Sequence, residues 1–136
     1  MVKVILGLKG SGKTKQLIDT INSAVKNETG SMVCIEKGNA LTFDVDYRVR
    51  LIDASEYEIG NYTFLKGFIS GLHAGNFDIT HIFVDHLYKL GGSTEHEDTA
   101  AFLEWCDSFG KANNMNFTIS ISDDVNSMPE SITKYL

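Results

Sequence analysis

An α/β fold is what this sequence predicts, a three-layer α/β/α sandwich on a mainly parallel central sheet. Three observations predict it. Strand-like and helix-like segments alternate along the whole chain, an order that calls for right-handed crossovers and helices on both faces of a sheet. The strand-like segments are short and nearly all apolar, as strands covered on both faces are. A glycine-rich loop joins the first of them to the first helix.

Val2, Val4, Ile5 and Leu6 form the first buried strand, and Gly7 to Gly12 the loop. Leu17, Ile18, Ile21, Ala24 and Val25 recur at helical spacing, and Gly30 closes that segment. Met32 to Ile35 read as a second buried strand. Leu41 to Phe43 and Val49 to Ile52 are strand-like around Asp44, Asp46 and Tyr47, and are expected to form a hairpin. Phe64, Leu65, Phe68, Ile69 and Leu72 mark a second helix that ends at Gly75-Asn76. Gly67 and Gly71, one turn apart, predict close packing on a neighbour. His81 to Val84 form a third strand that ends in Asp85. Thr94 and Glu97 read as a capping box for a helix carrying Phe102, Leu103, Cys106 and Phe109. Phe117, Ile119 and Ile121 make the last strand, with Thr118, Ser120 and Ser122 on its other face. Ser127 and Pro129 begin a short C-terminal helix.

The totals bound the function. With 136 residues, 43% of them hydrophobic, and no linker or repeat, residues 1–136 are expected to form one domain. The net charge of -6 lacks the basic stripe that nucleic acid or an anionic membrane surface requires. No apolar run approaches the ~18 residues that span a bilayer. The first residues run straight into the loop, so no leader peptide is expected and the protein is expected to be cytoplasmic. Cys34 and Cys106 sit in apolar segments and read as buried thiols in a reducing compartment. The histidines and cysteines show no zinc-ligand spacing.

The chemistry lies in Gly7-Leu8-Lys9-Gly10-Ser11-Gly12-Lys13-Thr14, a complete G-x-x-x-x-G-K-[ST] pattern. The glycines permit positive φ, so that backbone N–H groups turn inward around an anion. Lys13 supplies a mobile point charge to β and γ phosphates, and Thr14 offers a hydroxyl to magnesium. The following helix aims its N-terminal dipole at the same place. Lys9, Ser11 and Lys15 complete the candidate phosphate-binding set. Downstream, His81-Ile82-Phe83-Val84-Asp85 is an apolar strand ending in an acid.

On these two motifs the chain resembles the P-loop NTPase superfamily. The resemblance implies that Asp85 orients magnesium and that the ligand is a nucleoside triphosphate. Many P-loop ATPases place Glu directly after this Asp to polarise the attacking water, and here His86 stands in that place. Glu36, after the second strand, is the other candidate base, and Asp53 and Asp123 also close strands. Ser122 is the candidate γ-phosphate sensor. The guanine pattern [NT]-K-x-D is absent, which favours ATP. The only arginines, Arg48 and Arg50, form no lid, though one is a candidate finger in its own or a neighbouring subunit. The chain is also similar to small stand-alone bacterial P-loop proteins labelled twitching-motility ATPases, and more weakly to thymidine kinases, without their zinc lasso.

The resulting expectation is a protein that binds ATP and Mg2+ and hydrolyses ATP slowly or when a partner stimulates it. Lys13 and the loop would neutralise charge, Thr14 and Asp85 hold magnesium, and Glu36 or His86 orient water. The alternatives are a small-molecule phosphotransferase and a switch with negligible turnover. In the switch, Gly91 to His96 is ordered and read by a protein partner or a second copy. The superfamily's commoner ATPase order would place the Phe117–Ile121 strand between the loop strand and the Asp85 strand. Direct adjacency of those two would mark the kinase and GTPase branch.

Overall fold

A computed structural model describes all residues, 1–136. Its strands are β1 (Val2–Gly7), β2 (Ser31–Glu36), β3 (Val49–Asp53), β4 (Ile79–Val84) and β5 (Asn116–Ser122). They form one sheet in the order β1-β5-β4-β2-β3, and every pairing is parallel. β5 therefore separates β1 from β4, the ATPase-like alternative. The helices are α1 (Lys13–Asn27), α2 (Tyr62–Gly75), α3 (Leu87–Gly91), α4 (His96–Asn113) and α5 (Glu130–Thr133). No helix is long and apolar enough to cross a membrane.

The three layers follow from the alternation of side chains along each strand. On one face, Val4, Ile35, Val84, Ile119 and Ile121 pack with Leu65, Ile69, Phe102 and Leu103 of α2 and α4. On the other, Ile5, Met32, Cys34 and Phe83 pack with Leu17, Ile21, Ala24 and Val25 of α1. Cys34 and Cys106 are free and buried, one in each core.

The α1 face carries a polar seam that the apolar pattern conceals. Thr118 and Ser120 of β5 are buried, and each serves a neighbour on or just after β4. Thr118 Oγ1 lies 2.8 Å from His81 Nε2, while His81 Nδ1 lies 3.0 Å from Glu28 Oε1. The acid–imidazole–hydroxyl order resembles an acyl-transfer site. Yet Thr118 is only 3% exposed and does not line the groove beside His81 and Glu28. The trio therefore ties α1 to the sheet. Burial holds the His81 ring below its ordinary 6.5, outweighing the Glu28 carboxylate that raises it, while the distant N-terminal ammonium lowers it further. The native state thus favours neutral His81. Its contribution to stability is full above pH 6.5 and is lost as pH falls through the lower native value. Thermal melts should show Tm falling on acidification below pH 6.5, and His81→Asn should remove that part of the slope. An unchanged slope would show that His81 is not a controlling group.

Four expectations fail locally. Leu41 to Phe43 form turns, and β3 pairs parallel to β2, so the hairpin is absent. Leu41 and Val45 are instead buried anchors of the Lys37–Asp46 loop, and Asn22 on α1 binds the backbone of Asp44 and Asp46 at 3.0 Å each. Gly67 and Gly71 face outward, where an added Cβ would meet nothing. They leave Phe64, Phe68 and Leu72 around an open shallow groove. The Thr94/Glu97 box is replaced by Ser93, whose Oγ donates to Asp98 (2.8 Å) and accepts from the Glu95 N–H (3.2 Å). Arg48 and Arg50 lie at the start of β3, on the edge opposite β1, with Arg50 level with Val2 rather than with Gly7. Arg48 pairs with Asp46 at 3.2 Å. Neither arginine reaches the glycine-rich loop of its own chain.

Candidate functional site

Parallel strands aim their C-terminal ends at one edge of the sheet, and loops gather there. Gly7 ends β1 beside Ser122 of β5. Two residues back, Ser120 faces Asp85, and Glu36 pairs with Asp53 further along the sheet. Polar groups from four separate parts of the chain thus stand in a row.

The loop after β1 has the backbone that its glycines were expected to provide. Gly10 has φ 84° and Gly12 φ 88°, values that a side chain tolerates poorly. Gly7 has no room for a Cβ against Ser11. Gly12 sits at the N-cap of α1 without a side-chain cap, so the first N–H groups of the helix are free to meet an anion. Lys13 is buried, with Nζ donating to the Leu8 carbonyl at 3.0 Å. Its ammonium is held at the loop without a carboxylate partner.

A cleft of about 610 Å³ opens over this loop, lined by Lys9, Gly10, Gly12, Lys13, Thr14, His86, Lys89 and Ser122. It contains no acidic side chain, although the chain as a whole carries -6. Lys15 is exposed outside the cleft, and Gly7 and Ser11 shape the loop from behind. Lysines, backbone N–H groups and the Thr14 and Ser122 hydroxyls make this donor set suited to a polyphosphate.

Asp85 and Glu36 lie deeper. Asp85 continues the ladder by donating its N–H to the Ile35 carbonyl at 3.0 Å. Its Oδ1 accepts from Ser120 Oγ at 2.7 Å, and the same hydroxyl accepts the His86 N–H at 2.8 Å. His86 adopts φ 53°, an uncommon conformation costing about 1 kcal/mol or more. Its ring is set between Asp85 Oδ2 (3.6 Å to Nε2) and Ser122 Oγ (3.3 Å to Nδ1).

Glu36 is 3% exposed beneath the Lys37–Asp46 loop. Its Oε1 accepts a long 3.4 Å bond from the Leu41 N–H, and its Oε2 is the one buried side-chain polar atom without a partner. Burial, with Asp85 and Asp53 nearby, raises its proton affinity above the ordinary carboxylate value, against the opposing Leu41 and Ala40 amides. Asp53 faces away from this chemistry: it caps the turn at Ala54–Tyr57 by accepting from Ser55 and binds the Gly38 N–H at 2.8 Å.

Asp123 connects the row to the helices. Its N–H donates to the Gly7 carbonyl at 3.1 Å. Its Oδ2 accepts from the Tyr88 hydroxyl at 2.7 Å and lies 3.1 Å from His96 Nε2. Burial alone would raise the Asp123 carboxyl, but Tyr88, the Asp124 amide and His96 outweigh it and hold it below the usual range.

Two participants escape a reading of the sequence. Ser120 gives no signal beyond its place in an alternating strand, and Lys89 is one lysine among several. Lys89 becomes visible only when α3 folds back over the sheet.

No protein-family model and no curated sequence matches the chain. Among solved structures it is similar to the flagellar accessory protein FlaH from Methanocaldococcus jannaschii, with a TM-score of 0.61 at 14% identity. The match covers 98% of this chain and 65% of FlaH, so the chain spans just under two thirds of that protein's length. At this identity the likeness speaks for the fold, and the parallel sheet with a glycine loop between β1 and α1 is P-loop NTPase-like.

Proposed function

We propose that this cleft binds ATP with magnesium, and that the protein hydrolyses it slowly unless a partner stimulates it. The observation that carries this reading is an acid-free cleft at a helix N-terminus, formed by the positive-φ Gly10 and Gly12, buried Lys13 and Thr14. Such a site favours several adjacent negative charges, as a triphosphate supplies.

The chain's own residues divide the work. The loop amides and Lys13 hold the β and γ phosphates, and Lys9 adds charge at the rim. The Thr14 hydroxyl and the Asp85 carboxylate, oriented by Ser120, belong to the magnesium side. Magnesium held there would supply positive charge against the negative charge that builds during transfer. Ser122 and His86 face the γ-phosphate end. Glu36 is the general base: one oxygen of its buried carboxylate has no partner and burial raises its proton affinity, a cost to stability of the kind that concentrates at functional sites. The Lys37–Asp46 loop covers it, so turnover by this base would require that loop to move and would be slow. This reading puts the protein in the cytoplasm, where ATP is abundant.

A specific observation also favours the switch reading. Asp123 ties the segment between α3 and α4 to the strand end beside Gly7 through Tyr88 and His96. A shift of Ser122 on nucleotide binding would be felt by Gly91 to His96, and a partner would read it.

Isothermal titration with ATP, ADP and GTP, with and without magnesium, followed by an ADP-release assay, tests the proposal. Magnesium-dependent ATP binding with slow release is the expected result. Tight binding with no release would assign the switch, and release that requires a small acceptor would assign a phosphotransferase. Folded protein that binds no nucleotide would overturn the reading.

A further inference from the structure

α3 is five residues long and held at both ends. At its start, the left-handed turn at His86 is fixed by the bond to Ser120. At its end, Gly91 and Gly92 approach Tyr62 and the Gly60 carbonyl so closely that neither has room for a Cβ. Leu87 and Leu90 are fully buried, and Tyr88 is tied to Asp123 at 2.7 Å. The remaining residue, Lys89, is exposed and lines the cleft with Lys9, Lys13, His86 and Ser122. Its N–H bonds the His86 carbonyl at 3.0 Å, so it sits one helical turn after His86. It takes part in none of the five ion pairs of the molecule. A fixed backbone beneath an unpaired ammonium spares the backbone share of the ordering cost when an anion enters the acid-free cleft.

We propose that Lys89 contacts the γ phosphate in cis, supplying the transition-state cation that Arg48 and Arg50 of the same chain lie too far away to bring. This rests on the reading that the cleft holds a nucleoside triphosphate, and it makes Lys89 a catalytic residue of that site. Hydrolysis breaks the bond from the γ phosphorus to the β–γ bridging oxygen and forms a bond from phosphorus to water oxygen. Glu36 takes the water proton, and the electron pair of the broken bond stays on ADP. Lys89 offsets charge on the γ oxygens while its own proton stays in place.

The consequence is a selective one. The γ phosphate is present in ATP and absent in ADP, so Lys89 should discriminate between them, whereas Lys13 should serve both. The test is titration of wild type, Lys89→Ala, Lys89→Arg and the distant control Lys111→Ala with magnesium and ATP or ADP, together with single-turnover phosphate release. For Lys89→Ala, ADP affinity should stay within about twofold and ATP affinity fall about tenfold. Release should slow about 100-fold. Lys89→Arg should recover most of the loss, and Lys111→Ala should match wild type. An unchanged ratio of ATP to ADP affinity in Lys89→Ala would overturn the assignment even if wild type turned over too slowly to measure. If wild type binds both nucleotides and Lys13→Ala binds neither, that failure belongs to Lys89 alone. Wild type that binds neither nucleotide overturns both readings.

Discussion

Lys13→Ala should weaken ATP–magnesium binding about 10- to 100-fold while leaving the fold intact. The ammonium is buried at the first position of α1 and its visible partner is a carbonyl, Leu8 O at 3.0 Å. A neutral acceptor compensates a buried cation only in part, so the free protein holds this charge at some cost. A charge-assisted bond to phosphate is worth about 1.5–3 kcal/mol, which sets the expected loss in affinity. Alanine suits a helical position and removes the buried charge, so Tm should stay level or rise. Titration calorimetry and a thermal melt on the same sample check both. Unaltered affinity would place the ligand elsewhere and remove the basis for the proposed function.

Glu36→Gln should stabilise the protein and slow it, two effects of opposite value. A buried oxygen without a partner, on a carboxylate that burial disfavours, costs about 1–3 kcal/mol. Gln keeps the shape and an acceptor for the Leu41 N–H while removing the charge. The native proton affinity of Glu36 is raised from the ordinary 4.5, so its contribution is fully present below that pH and lost as pH rises through the native value. The gain in Tm, a few degrees, should therefore be larger at pH 8 than near pH 4.5. This slope has the opposite sign to that of His81, so the two separate in a series of melts. ATP should still bind, and turnover should drop about 100-fold with the base removed. Unchanged turnover would move the base to His86, which already lines the cleft. A lower Tm would mean that Glu36 is a structural partner of the Lys37–Asp46 loop.

The fold class and the backbone of the glycine-rich loop were legible in the sequence, because both are written locally. An apolar strand followed by Gly7 to Thr14 and an amphipathic helix specifies its own turn: positive φ at Gly10 and Gly12 needs no distant contact. Alternating segments likewise predict layers, since each apolar face must find a cover. Where local pattern was weak it misled. Leu41 and Val45 are buried by anchoring a loop, and Gly67 and Gly71 open a surface rather than closing one. Tertiary structure alone decided the strand order, the covering of Glu36 and the distance of the two arginines from the loop. It also decided that Ser120 holds Asp85 across 35 residues of sequence and that α3 delivers Lys89 to the cleft. Each of these depends on which strands become neighbours and where a helix is pinned. Those outcomes come from packing the whole chain at once, which no window of residues encodes.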